Sequence, residues 1–188
     1  MRKAFFVFVA LVACSGLSAQ QTASANRTYA IGDTGPAGGI VFYDRGFVAD
    51  GWRYLEAAPA STDFDAEWGA YGQDVAGTDT AVGSGKRNTR LIAAHLNGRG
   101  QSNRAAQICA AMEINGFADW FLPSKDELNL MYVNLQRNNL GGFTSNWYWS
   151  SSQSNAYNAW LQHFGGGSQG TNDEYDTNSV RAVRAFIP

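Results

Sequence analysis

The chain has 188 residues but only two cysteines, Cys14 and Cys109, and two histidines, His95 and His163. The histidines lie far apart and there is no Cys-x-x-Cys, so the ligand spacing of a zinc site is missing. A single cysteine pair makes no disulfide framework. Proline occurs four times, at Pro36, Pro59, Pro123 and Pro188. Between Thr144 and Ser179 there is no Lys or Arg, and the only acids are Asp173, Glu174 and Asp176. No internal period of about 20–50 residues recurs, which excludes a solenoid. Beyond the first residues no stretch is apolar enough to cross a membrane as a helix.

What is present begins with a leader. Arg2 and Lys3 form a positive n-region, and Ala4 to Ala13 is an apolar run too short to span a bilayer. Leu11-Val12-Ala13-Cys14 has the form of a lipobox, in which Cys14 becomes the lipidated first residue of the mature chain. Cleavage after Leu17-Ser18-Ala19 is the alternative, and the lipobox is favoured. Several acyl chains, at about 0.8 kcal/mol per buried methylene, would anchor the protein stably. Residues 14–28, small and polar, read as a flexible tether reaching ~20 Å on average. One globular domain is expected over 29–188. Without Arg2 and Lys3, the fourteen Lys and Arg fall to twelve against sixteen acids, a formal charge of −4. An acidic balance argues against nucleic acid, which demands a basic footprint.

Gly39 to Asp44 is dense in β-branched and aromatic residues and predicts a strand, with Trp52 to Ala57 as its hairpin partner. Ala60 to Gly85 lacks periodicity and reads as irregular, with Trp68 plugging the core. Helices are expected over Thr89–Leu96 and Asn103–Ile114. Ser124-x-x-Glu127 is a capping box that starts a third helix. Trp147–Ser151, Ala159–Phe164 and Val180–Ile187 are candidate strands. Strands at both ends and helices between them predict an α+β domain, closed where its terminal strands pair. Cys109, aligned with Ala105 and Met112 at helical spacing, reads as a buried small hydrophobe.

Chemical motifs fail on detail. Gly83-Ser84-Gly85-Lys86-Arg87 lacks the spacing of a P-loop and the hydroxyl after its lysine. Asp63, Asp65 and Glu67 alternate, and Asp173, Glu174 and Asp176 form a second acid group. Such oxygen ligands suit calcium, but neither group matches an EF-hand loop, and solvated acids are the preferred reading. Ser150 to Ser152, His163 and Asp173 hold the residue types of a hydrolase without a Gly-x-Ser-x-Gly elbow. No enzyme, metal or cofactor is expected. The run from Thr144 to Ser179 is instead rich in Trp, Tyr, Ser, Gly and Asn, the residues of adaptable binding surfaces.

Several blocks together carry a resemblance: Gly32-Asp33-Thr34-Gly35-Pro36-Ala37-Gly38-Gly39, Trp52-Arg53-Tyr54-Leu55-Glu56-Ala57, Trp120-Phe121-Leu122-Pro123-Ser124, Tyr148-Trp149-Ser150-Ser151-Ser152 and Val180-Arg181-Ala182-Val183-Arg184-Ala185-Phe186. In this order they resemble the bacterial surface domain at the C-terminus of collagen-like adhesins, related to the formylglycine-generating-enzyme type of C-type lectin fold. The likeness is strongest to the variable proteins of diversity-generating retroelements. The resemblance implies a C-type-lectin-like domain of mixed and antiparallel strands with two or three helices and much loop. It implies a framework that includes core residues Trp149 and Trp160. It implies ligand-contacting positions at Asn146, Trp147, Gln153, Asn155, Tyr157, Asn158, Leu161, His163, Ser168, Thr171, Asn172, Asp173, Tyr175 and Asp176, with Trp147 and Tyr157 as anchors. The enzyme's reactive cysteine pair is missing, so its activity is not implied, and neither Glu-Pro-Asn nor Gln-Pro-Asp of sugar-binding lectins occurs. The expectation is a lipid-anchored binding protein, exported and displayed at the cell surface, whose partner is a protein or surface polymer. The alternative is an adhesin or structural envelope domain with a fixed face. Arg181 and Arg184 are expected to bind acids or carbonyls internally.

Overall fold

The computed structural model describes residues 27–188. The leader, Cys14 and most of the tether therefore lie outside the described residues. The described chain is α+β, with eight strands in two sheets and three helices.

β1 (Ile40–Ala49) and β2 (Trp52–Ala57) form an antiparallel hairpin. Asp50 and Gly51 turn it, both at positive φ, the conformation that a tight hairpin turn demands. β2 has the predicted bounds; β1 runs five residues further than its apolar run, through a bulge at Arg45 to Val48 that the sequence reading placed in the loop. β8 (Val183–Phe186) pairs with the other edge of β2, giving the order β1-β2-β8. The terminal strands thus share a sheet, with β2 between them.

The second sheet has the order β3-β7-β4-β5-β6. It contains β3 (Phe64–Glu67), β4 (Trp147–Asn155), β5 (Asn158–His163), β6 (Gln169–Asp173) and β7 (Thr177–Val180). The expected single strand from Val180 is split. β7 ends at Val180, Arg181 and Ala182 cross over, and β8 begins in the other sheet. β3 and β6 were not foreseen.

α1 (Gly85–Asn97), α2 (Ala105–Ala111) and α3 (Lys125–Asn134) pack between and against the sheets. α1 starts earlier than its periodicity indicated, and α2 is shorter. The capping box of α3 forms as expected. Ser124 Oγ accepts the Glu127 N–H at 3.2 Å, and Glu127 Oε2 accepts the Ser124 N–H at 2.7 Å. The other Glu127 oxygen accepts the Gly83 N–H at 2.8 Å, so one buried carboxylate ties the chain before α1 to the start of α3. Burial pushes this carboxyl up to about 7, against the N–H bonds that favour its charged form.

One core gathers Trp68, Trp149, Ile92, Leu96, Cys109 and Leu122 between the five-stranded sheet and helices α1 and α2. Another packs Phe42, Leu128, Met131, Tyr148 and Phe164 around α3. Trp68 is fully buried, and its Nε1 donates to Ser150 O at 2.8 Å. Every strand and helix of the described residues pairs with or packs against another of them. Trp160 departs from expectation. It is half-buried, not core, and the Lys125 ammonium lies 4.5 Å from its ring centre.

The alternating acids have separate uses. Asp63 binds the buried Arg181 guanidinium through both oxygens. Asp65 accepts from Ser179 Oγ at 2.8 Å, and Glu67 pairs with Arg104 at 3.2 Å. A shared cation would have to displace all three. Asp63→Ala leaves Arg181 buried without its carboxylate and should cost about 3–5 kcal/mol. Asp65→Ala removes only one hydroxyl bond and should cost about 1 kcal/mol. Urea unfolding of the two variants checks the difference.

Candidate functional site

The β4–β5 hairpin is closed by an asparagine. Asn155 Oδ1 accepts the N–H of Tyr157 at 2.8 Å and of Asn158 at 3.1 Å, an Asx turn that mimics backbone pairing. Tyr157 is thrown outward at the tip. Ala156 O accepts the N–H of Gly72 at 2.6 Å and of Gln73 at 2.9 Å, which docks the loop after β3 onto the hairpin and places Tyr71 beside Tyr157. Their ring centroids are 5.3 Å apart at 68°, and Tyr71 meets Tyr175 at 4.7 Å and 66°. Both contacts are edge-to-face, a favoured aromatic arrangement.

The three rings support one another and still face solvent: Tyr71 is 46% exposed, Tyr157 54% and Tyr175 52%. Tyr175 Oη donates to Asp173 Oδ2 at 2.8 Å, and Asn158 Nδ2 donates to Asp173 Oδ1 at 2.8 Å. Sequence reading found Tyr157 and Tyr175 but missed Tyr71. Its only local signal was an aromatic set among turn residues, in Gly69-Ala70-Tyr71-Gly72.

Beneath this patch lies a polar strut. Gln153 Nε2 donates to Glu174 Oε1 and to Gln73 O, each at 2.8 Å, and its Oε1 accepts the Val75 N–H at 2.7 Å. Gln153 therefore holds loop and hairpin together instead of facing a ligand. Glu174 is fully buried. Burial pushes its carboxyl up to about 8, with the Asp74 charge acting the same way and the Gln153 bond opposing.

Trp147 stands at the other end of the hairpin, paired with His163 at 5.1 Å between ring centres. It is 38% exposed and separates two shallow cavities. One, of about 250 Å³, is lined by Trp147, Leu161, Gly170, Thr171 and Asn172. The other, of about 260 Å³, lies against Asp65, Asn146, Asn178 and Ser179. A Cβ on Gly170 would stand 3.8 Å from the indole, an ordinary contact distance, so the ring lies against β6 there. Asn146 Nδ2 donates to Ser179 Oγ at 3.2 Å.

The expected contact residues thus divide. Asn155, Tyr157, Asn158, Asp173, Tyr175 and Asp176 gather at the hairpin tip. Asn146, Trp147, His163 and Ser168 gather at its base. The two anchors are separated by most of the nine-residue β4, ~25 Å at ~3.3 Å per residue. Thr171 and Asn172 lie between, on β6, and point to opposite faces. Leu161, expected to touch ligand, is 4% exposed and belongs to the core, offering only the floor of the smaller cavity.

The hydrolase constellation is not assembled. His163 pairs with Trp147 at one end of β5, and Asp173 pairs with Asn158 at the other. Ser150 and Ser152 donate to the carbonyls of Trp160 and Asp79, at 2.8 and 2.7 Å. Cys109 is fully buried, and burial pushes its thiol far above the usual range. Among the described residues no three His, Cys, Asp or Glu side chains converge as metal ligands.

Glu174 sets a pH dependence. Its folded pKa is raised, so the folded state holds a proton that the unfolded chain gives up above its ordinary value near 4.5. The stabilisation is full below that value and is lost as pH rises toward about 8. Glu174→Gln, which copies the protonated form, should melt several degrees higher than wild type at pH 8.5 and within a degree or so of it at pH 4.5. Calorimetry at both values checks this.

No curated protein matches the chain. A fimbrial protein from Bacteroides ovatus ATCC 8483 has a similar structure, with a TM-score of 0.51 at 16% sequence identity. The likeness covers 71% of this chain and 36% of that one, so the chain spans about a third of the length of the solved protein. At that identity the likeness is one of fold. Residues 62–184 match the Lcl C-terminal domain family, and the chain belongs to that family.

Proposed function

We propose that this is a C-type-lectin-like, non-enzymatic binding domain, exported and held at the cell surface, whose ligand face is the outer end of the β4–β5–β6 hairpins. The observation that carries the reading is the cluster of Tyr71, Tyr157 and Tyr175, each about half exposed above a hydrogen-bonded base. Exposed aromatic rings already held in place give large contact area at low entropic cost. The ligand is a protein or surface polymer, and Trp147 with its two cavities forms a second contact point. Membership of the Lcl C-terminal domain family and a fold shared with a protein named as fimbrial are in keeping with a surface role.

The non-enzymatic reading is supported by the use of the candidate groups inside the fold. Glu127 caps two chain segments, Glu174 braces the hairpin and Cys109 is sealed in the core. Diversification by a retroelement is part of the proposal. The outward positions Asn146, Tyr157, Ser168, Thr171 and Tyr175 can change residue without disturbing the packed framework. A nearby reverse transcriptase gene, with a near-copy of the 3′ coding end differing at adenines, would be the mark of it. A fixed face would mark an adhesin or envelope domain instead.

Replacing Tyr71, Tyr157 and Tyr175 together by Ala should leave the melting temperature within a few degrees of wild type. The variant should fail to capture the surface proteins or polymers that wild type captures from biotinylated cells. A large fall in melting temperature would make the rings structural. The anchor is tested separately: radioactive palmitate should label the wild-type chain in cells and not Cys14→Ala.

A further inference from the structure

A second exposed surface lies away from the tyrosines, at the tip of the β1–β2 hairpin. The bulge in β1 pushes out Phe47 and Val48, which are 62% and 55% exposed. The tip is held firmly. Arg45 Nη1 donates to Ala49 O at 2.9 Å, and its guanidinium lies 4.4 Å from the Trp52 ring centre and 5.3 Å from that of Phe47. Arg53 grips Asp44 through two bonds of 2.8 and 2.9 Å, and Asp44 accepts the Gly46 N–H at 2.7 Å. Phe47 and Val48 are therefore presented by a braced loop and find no apolar cover among the described residues.

Cations lie near the same tip. The chain before α1 packs on the hairpin, where a Cβ on Gly83 would lie 3.3 Å from the Trp52 ring. This brings Lys86, Arg87 and Arg90 to a cavity of about 190 Å³ that they share with Asp50 and Trp52. Lys86 and Arg90, one helical turn apart, make no ion pair among the described residues. Arg87 donates to Gly77 O at 2.6 Å. Arg45 thus lies against Phe47, and three more of the twelve cations line the cavity that adjoins the tip at Asp50 and Trp52. Two carboxylates line the same cavity: Asp50, 3.5 Å from Arg45, and Glu127, which caps α3.

We propose that the β1–β2 tip docks on an anionic phospholipid surface, with Phe47 and Val48 entering the headgroup layer and Arg45, Lys86, Arg87 and Arg90 meeting its phosphates. Apolar insertion combined with basic attraction is the physics of reversible membrane contact. This proposal stands apart from the tyrosine face and from any lipid on Cys14.

The test uses the chain from Gln20 onward, which carries every described residue and no leader. It is sedimented with phosphatidylcholine vesicles, with and without phosphatidylglycerol. Binding is expected only where phosphatidylglycerol is present and should fall as salt is raised. Removing each cation should weaken partitioning about fivefold, so Lys86→Ala with Arg90→Ala should lose about 25-fold. Phe47→Ser with Val48→Ser should also weaken binding several-fold. Arg99→Ala with Arg137→Ala, elsewhere on the surface, should change nothing, and all variants should keep the wild-type melting temperature. Equal binding to neutral vesicles, or none to anionic ones at low salt, would overturn the proposal. So would full binding by the Phe47→Ser, Val48→Ser variant, because that would leave charge alone at work and point to a soluble polyanion.

Discussion

One buried guanidinium holds the two sheets in register. Arg181 occupies the step at which the chain leaves β7 for β8, and it has almost no exposed surface. Its charge is met by both Asp63 oxygens, by Gly141 O at 2.8 Å and by Ala58 O at 3.3 Å, with the Phe143 ring 4.2 Å away. These partners come from the segments before β3, after α3 and after β2. Ala58 N–H also donates to Ala182 O at 2.9 Å, so the crossover is pinned on both sides. A desolvated charge is costly unless every donor is satisfied, and the geometry that satisfies this one is the geometry in which both sheets are assembled. Arg184, next in line, repeats the device with Glu56 at 2.7 Å and Asp119 at 2.7 Å.

That arrangement explains how a surface with few charges can be carried on a rigid body. The cations of the C-terminal segment are spent inside, at Arg181 and Arg184, while the stretch from Thr144 to Ser179 remains free of them. The hairpins between are braced by amides and hydroxyls: Gln153 to Glu174, Asn155 to its own turn, Asn158 to Asp173, Ser150 to Trp160. Hydrogen bonds of this kind fix a backbone path without making its outer surface sticky to every ion. What is left to meet a partner is ring area, at Tyr71, Tyr157, Tyr175 and Trp147.

Local signals were legible in the sequence and non-local ones were not. The Ser124–Glu127 box and the bounds of β2 depend on residues a few positions apart, and both are found as read. β6, with the sequence Gln-Gly-Thr-Asn-Asp, has no apolar alternation because it is an edge strand. β3 carries two acids in four residues, and they read as loop because their partners Ser179 and Arg104 are distant in sequence. Trp160 looked like core by its size, yet its face of β5 is only half covered. The expected contact positions were mostly outward-facing but were taken as one patch. A hairpin sends residues ten apart in sequence to opposite ends, and nothing short of the pairing register shows which end each occupies. Tyr71 joins the site through a loop held by the Ala156 carbonyl and the Gln153 side chain, contacts without a sequence pattern.

α1 gives the molecule a polarity. Its first two turns carry Lys86 and Arg90 against the β1–β2 tip. Its last turn carries His95, whose Nε2 is 3.1 Å from Gln73 Oε1, in the loop that presents Tyr71. His95 lies nine residues beyond Lys86 and five beyond Arg90 on the helix, ~14 and ~8 Å at ~1.5 Å per residue. A helix is stiff over that length, so the basic, apolar tip and the tyrosine face cannot approach one another. With the tip turned toward a bilayer, the loop that carries Tyr71 is held at the other end of α1. The acids at that end, Asp74, Asp173 and Asp176, would be repelled by the same anionic surface that draws Lys86 and Arg90. The charge distribution and the helix therefore favour one orientation over its reverse.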